Sequence, residues 1–249
     1  MVIWLVKKFY LVMNHWVKTI LCLASASLLS LSAFAAGEGE RAELGHYFAP
    51  ATAEPTTPDS EGFIRRWTIL EPIAKSFSSN SMLTDNYLSE AMSEEYFKDQ
   101  FSLIPEDGSK VKYGKTNLLW HALDSKLFFV NLLRFAEGFG KEYFQQMYWV
   151  VTVIDCEEDI EDVRLSGGVN SGAVWYLNDE EVLRLTNDRD LIVDDCMSQR
   201  VTLKKGRNIL RGAVFNGQGM ATFCLRFVDD NGKPVTGYTV SSIMPKKKR

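Results

Sequence analysis

From Val163 to Val228 the chain reads as short runs separated by loops and turns, and several of these runs alternate apolar and polar residues. Val163 and Leu165 oppose Arg164 and Ser166, and Leu183 and Leu185 flank Arg184. Phe223, Leu225 and Phe227 interleave with Thr222, Cys224 and Arg226. A period of two is the signature of a strand with one face buried. The runs are separated by Asn178-Asp179, Lys205-Gly206 and Asn231-Gly232, residue pairs that accept the positive φ of tight hairpins. A one-residue slip of any run would turn its rings or branched chains to water, so register is strongly specified. Many short strands with regular turns and no βαβ rhythm predict an all-β antiparallel sandwich with jelly-roll wiring and one or two short helices.

Upstream, Phe63 to Leu70 (FIRRWTIL) alternates in the same way until Glu71-Pro72 stops it. Leu83, Tyr87, Leu88, Ala91, Met92 and Tyr96 recur at helical spacing, with Thr84 or Asp85 as a cap, and predict an amphipathic helix over 83–97 at one sheet edge. LLWHAL (Leu118 to Leu123) reads as a strand, and Asn131 to Gly140 as a helical turn ending on glycine. Met147 to Asp155 (MYWVVTVID) is apolar at nearly every position, as a central strand covered on both faces must be. The sandwich domain is expected over 63–243. Residues 36–62, with Pro50, Pro55 and Pro58 among Ala, Thr and Glu, read as a solvated, disordered linker, and 244–249 as a basic tail.

The beginning of the chain sets the compartment. From Met13, the expected true start, a charged segment leads into TILCLASASLLSLSAF and a small-x-small site at Ala33-Phe34-Ala35. That is the pattern of a secretory signal over 1–35, so the mature chain is expected to be secreted or periplasmic, with no membrane span. The formal net charge is −4, and the leader carries Lys7, Lys8 and Lys18 but no acid, so the remainder is more acidic still. Such a chain lacks the basic face that phosphate contacts need, which excludes general nucleic-acid binding. Cys156, Cys196 and Cys224 remain after cleavage. Their spacing matches no zinc pattern, and an oxidising compartment would permit one disulfide among them.

WTILEPI, LLWHAL, YWVVTVI, VRLSGGVNSGAVWYLNDEEV, VTLKKGRNILR and FCLRFVDDNGKPV follow one another in an order that resembles galactose-binding-like jelly-roll domains. These accompany secreted bacterial carbohydrate-active proteins, some of them labelled acetylxylan esterase. The resemblance covers about 63–241 and implies a glycan or polysaccharide as ligand, with a carbohydrate-active enzyme as partner. Asn178-Asp179 stands where the family usually has Asn-Gly, and Gly168 to Gly172 (GVNSG) departs from its usual Ser-Asp-Asp-Gly.

If consecutive strands are antiparallel, the short turns gather at one end and the loops at 167–172, 186–199 and 216–220 at the other. Those loops supply Asn170, Ser171, Asn187, Asp188, Asp190, Asn216 and Gln218, amides, hydroxyls and carboxylates able to bond sugar hydroxyls, with Trp175 as a candidate stacking platform. Asp188, Asp190 and Asp194 are candidate ligands for a structural Ca²⁺; no other cofactor is expected. Catalytic motifs are scarce. No G-x-S-x-G elbow or HExxH occurs, and a Ser-His-Asp hydrolase would have to use His121. The leading expectation is therefore a non-catalytic carbohydrate-binding or accessory module. An esterase or glycosidase acting on plant polysaccharide, and a protein-interaction module, remain the alternatives.

Overall fold

A computed structural model describes residues 43–77 and 79–245. The expected leader over 1–35 and the tail residues 246–249 lie outside the described residues.

The fold is an all-β antiparallel sandwich with a few short helices. The larger sheet runs β1 (Phe48–Pro50), β5 (Thr116–Ser125), β2 (Arg66–Leu70), β7 (Gln146–Cys156), β13 (Gly206–Asn216), β9 (Gly172–Leu177), β10 (Glu180–Leu185). Added to it are β3 (Ile73–Ala74) and β15 (Tyr238–Ser241) on β7, and β4 (Lys110–Tyr113) on β5. The smaller sheet runs β11 (Cys196–Met197), β8 (Ile160–Val169), β14 (Thr222–Val228), β6 (Val130–Asn131), with β12 (Val201–Leu203) on β8. Helices α1 (Leu44–Tyr47), α2 (Asp85–Ser93) and α3 (Leu132–Gly138) and a 3₁₀ turn (Asn80–Met82) complete the described elements.

The alternation read from the sequence lands where it should. Val163, Leu165, Phe223, Leu225 and Phe227 of the smaller sheet meet Trp67, Ile69, Val150, Leu210 and Trp175 of the larger one in the inner core. Trp67, Trp175 and Phe223 form its aromatic centre, with ring centroids 5.1 to 5.8 Å apart. Asn178 and Asp179 both take positive φ (49° and 71°), which closes the β9–β10 hairpin without glycine.

The larger sheet is covered on its other face too. Leu70, Trp120, Met147, Trp149, Val174, Tyr176 and Phe215 point outward and pack under Leu83, Leu88, Ala91, Met92 and Phe97. This second core explains why β7 is apolar on both faces. It also corrects the placing of the helix. Capped by Thr84, α2 lies across a sheet face rather than at an edge, and it ends at Ser93, so Tyr96 and Phe97 reach the sheet from the loop beyond it.

The linker expectation is overturned over 43–62. Phe48 is buried in the inner core, β1 pairs along Leu123 to Ser125, and Thr56 bridges Val240. Asp59 then receives hydrogen bonds from the amides of Glu61 and Phe63. The prolines do not prevent this, because β1 is an edge strand and needs donors on one side only. Cys156, Cys196 and Cys224 are all free thiols, so the permitted disulfide is not formed.

Candidate functional site

The loops at 167–172, 186–199 and 216–220 do meet. The Ser171 amide donates to the Arg189 carbonyl (3.3 Å) and the Asn170 amide to the Thr222 carbonyl (2.9 Å). Asn80, from a 3₁₀ turn at Asn80–Met82 that sequence reasoning passed over, joins them. Its Nδ2 donates to Asp188 Oδ1 (2.8 Å) and to the Gln218 carbonyl (3.4 Å). The loop 186–195 is fixed from beneath as well. Arg226 grips Asp194, Ser166 Oγ donates to the same carboxylate (2.6 Å), and Arg189 clamps Asp195 (2.6 and 2.8 Å).

These contacts separate the expected site residues into two groups. Asn187, Asp188, Asp190 and Gln218 are exposed on this fixed framework. The rest serve the fold. Ser171 is buried, and Asn170 bonds Thr222 through its side chain. Asn216 is fully buried and donates to the Tyr143 carbonyl at 2.6 Å. Trp175 is no sugar platform, since its ring is locked between Trp67 and Phe223. Its neighbour Tyr176 packs on Phe101 in the outer core, so neither ring of the pair faces solvent.

Two loop glycines are needed for packing rather than for a ligand. A Cβ at Gly168 would collide with the Ile192 carbonyl, and one at Gly217 with the Asn80 side chain. Close approach is required there, but by the protein's own loop and amide rather than by a ligand. The acids expected for Ca²⁺ spend oxygens internally, Asp194 on Arg226 and Ser166, and Asp188 on Asn80. Among the described residues no three His, Cys, Asp or Glu side chains converge on one point.

His121 sits elsewhere, on β5 beneath α3. Its ring stacks on Phe139 (3.8 Å between centroids, 29° between planes) and meets Phe135 edge-on. Glu71, nearly buried, lies 3.6 Å from Nε2 and takes the Lys141 ammonium at 3.0 Å and the Leu119 amide at 3.2 Å. Burial pushes the His121 pKa down, and Glu71 only partly opposes it, which keeps the imidazole neutral near pH 7. Nε2 has no hydrogen-bond partner among the described residues. A Ser-His hydrolase needs a hydroxyl or thiol there.

A third region was not anticipated at all. Beside α2 opens a cavity of about 320 Å³ lined by Ala74, Lys75, Ser76, Tyr87, Glu90, Ala91, Glu94, Tyr96 and Tyr113. Tyr87, Glu90 and Ala91 share one face of α2 at i, i+3 and i+4, and Glu94 caps the end of the helix. That spacing is visible in the sequence. What hid the site is that Ala74, Lys75 and Tyr113 come from other elements. Burial raises the pKa of Tyr87 and takes that of Tyr96 to about 12, so both are neutral phenols at physiological pH.

Compared with known proteins, the chain matches no family model and no curated protein. No described helix is long and apolar enough to cross a membrane.

Proposed function

We propose that this protein acts outside the cytoplasm as a non-catalytic β-sandwich module that binds glycan, or sits beside an enzyme that degrades it. The observation that carries the reading is the loop end. Three loops, tied to one another and to Asn80, hold Asn187, Asp188, Asp190 and Gln218 exposed on a rigid scaffold. Pre-ordered polar groups lose little entropy on binding a hydroxylated ligand. The surroundings of His121 favour binding over hydrolysis. Its ring is stacked on Phe139 and faces a carboxylate that already holds a lysine. The resemblance to jelly-roll domains of secreted carbohydrate-active proteins points the same way.

The test is a broad glycan array with the purified chain, followed by calorimetry on Asp190→Ala and Gln218→Ala, two exposed positions. Both variants should keep the wild-type melting temperature and bind more weakly. Asn216→Ala is no test of binding, since it leaves a buried carbonyl without its donor. Silence across the array, together with a stable protein partner in a pull-down, would replace this reading with the interaction-module one.

A further inference from the structure

We propose that the tyrosine-walled cavity beside α2 seats a neutral pyranose ring, an inference that rests on the glycan-binding reading and gives it a second site. The volume of about 320 Å³ falls in the range of small-ligand pockets. Its lining is mainly polar and offers what ring hydroxyls need: phenol hydroxyls that can donate, and carboxylate and carbonyl oxygens that can accept.

The tyrosines are held in place but incompletely engaged. Tyr87 packs edge-on against Phe77 and Phe215, with centroids 5.7 and 6.3 Å apart, so its ring is pre-positioned. Its hydroxyl reaches the Ser76 carbonyl only at 3.5 Å, and that of Tyr113 reaches the Ala74 carbonyl at 3.4 Å. Both lie at the outer limit of a hydrogen bond, so each hydroxyl can turn to a ligand at small cost. Tyr96, by contrast, is satisfied, donating to the Ala91 carbonyl at 2.9 Å, and forms the floor.

Charge selects the class of sugar. The Lys75 ammonium lies over the Tyr96 ring at 5.3 Å and pairs with Glu94 at 2.5 Å. The place where an aromatic wall and a carboxylate would hold a cationic ligand is thus already filled by the protein's own lysine. Glu90 has no ion-pair partner among the described residues, which leaves the cavity with one uncompensated negative charge and free acceptor oxygens. A uronate or sulfated unit would meet that charge at close range. A neutral hydroxyl would donate to it.

The experiment uses the intact chain, an array of neutral and uronic-acid oligosaccharides, and calorimetry with the tightest neutral binder. Glu90→Gln and Tyr113→Phe keep the shape of the cavity, and each should weaken binding about tenfold at unchanged melting temperature, the loss expected for one hydrogen bond to a charged or well-placed partner. Uronic-acid oligosaccharides should bind at least tenfold more weakly than their neutral counterparts, and Glu90→Gln should narrow that gap. If Asp190→Ala and Gln218→Ala abolish binding while the cavity variants leave it intact, the glycan reading stands and this site falls. If uronic-acid oligosaccharides bind best, the site falls as well. If no glycan binds at all, both fall.

Discussion

The two faces of the larger sheet are built from the same strands but closed in different ways. Inward, Trp67, Val150, Leu210 and Trp175 meet a second sheet whose own alternation supplies Leu165, Phe223 and Phe227. Outward, Trp120, Trp149, Tyr176 and Phe215 meet one nine-residue helix and the irregular chain on either side of it. A sheet covered by a sheet leaves no room for a ligand between regular side-chain rows. A sheet covered by a helix and loops leaves gaps where elements of unlike shape meet, and the tyrosine cavity lies at such a junction. The inner face therefore carries stability, and the outer face carries the opening.

The largest effect should come from the inner face. Trp175→Ala removes a ring packed on both Trp67 and Phe223 and should destabilise the fold by about 3–5 kcal/mol, read as a lower denaturation midpoint at unchanged m-value. A loss below about 1 kcal/mol would mean that the aromatic centre is not what holds the sheets together. Leu88→Ala, in the outer cover, should cost about 2–3 kcal/mol. Its second signature matters more. Hydrogen exchange of the α2 amides should speed up by local opening while the β7 amides keep their protection relative to global unfolding. Equal loss of protection in both would erase the distinction between the two faces.

The smallest effect concerns pH. The His121 pKa is lowered in the folded protein, chiefly by burial, so the unfolded chain binds the extra proton more readily. Its contribution to stability is complete above the unfolded value of about 6.5 and is lost as pH falls below it. The melting temperature should be level above pH 7 and decline from about 6.5 toward 5, and His121→Gln should flatten that decline. An unchanged slope in the variant would assign the decline to other groups.

Much of this architecture is legible in the chain itself. The period-two runs at 163–165 and 223–227, the positive φ of Asn178, Asp179, Gly206 and Gly232 in the turns, and the doubly apolar β7 are local facts, because side-chain direction in a strand is a property of two consecutive residues. The meeting of three loops at one end followed from antiparallel alternation alone. Tertiary structure decided what those loops then did with their side chains. Whether Asn216 faces a ligand or the Tyr143 carbonyl, and whether Gly168 admits a sugar or Ile192, depends on segments tens of residues away. The same holds for the part of the expected linker at 43–62, which gained a strand partner only once β5 presented a free edge. It holds for the cavity too, where Lys75 follows β3, Glu90 lies on α2 and Tyr113 on β4. Strand identity is set by neighbours along the chain, whereas a pocket is set by neighbours across it, and only the folded chain brings those together.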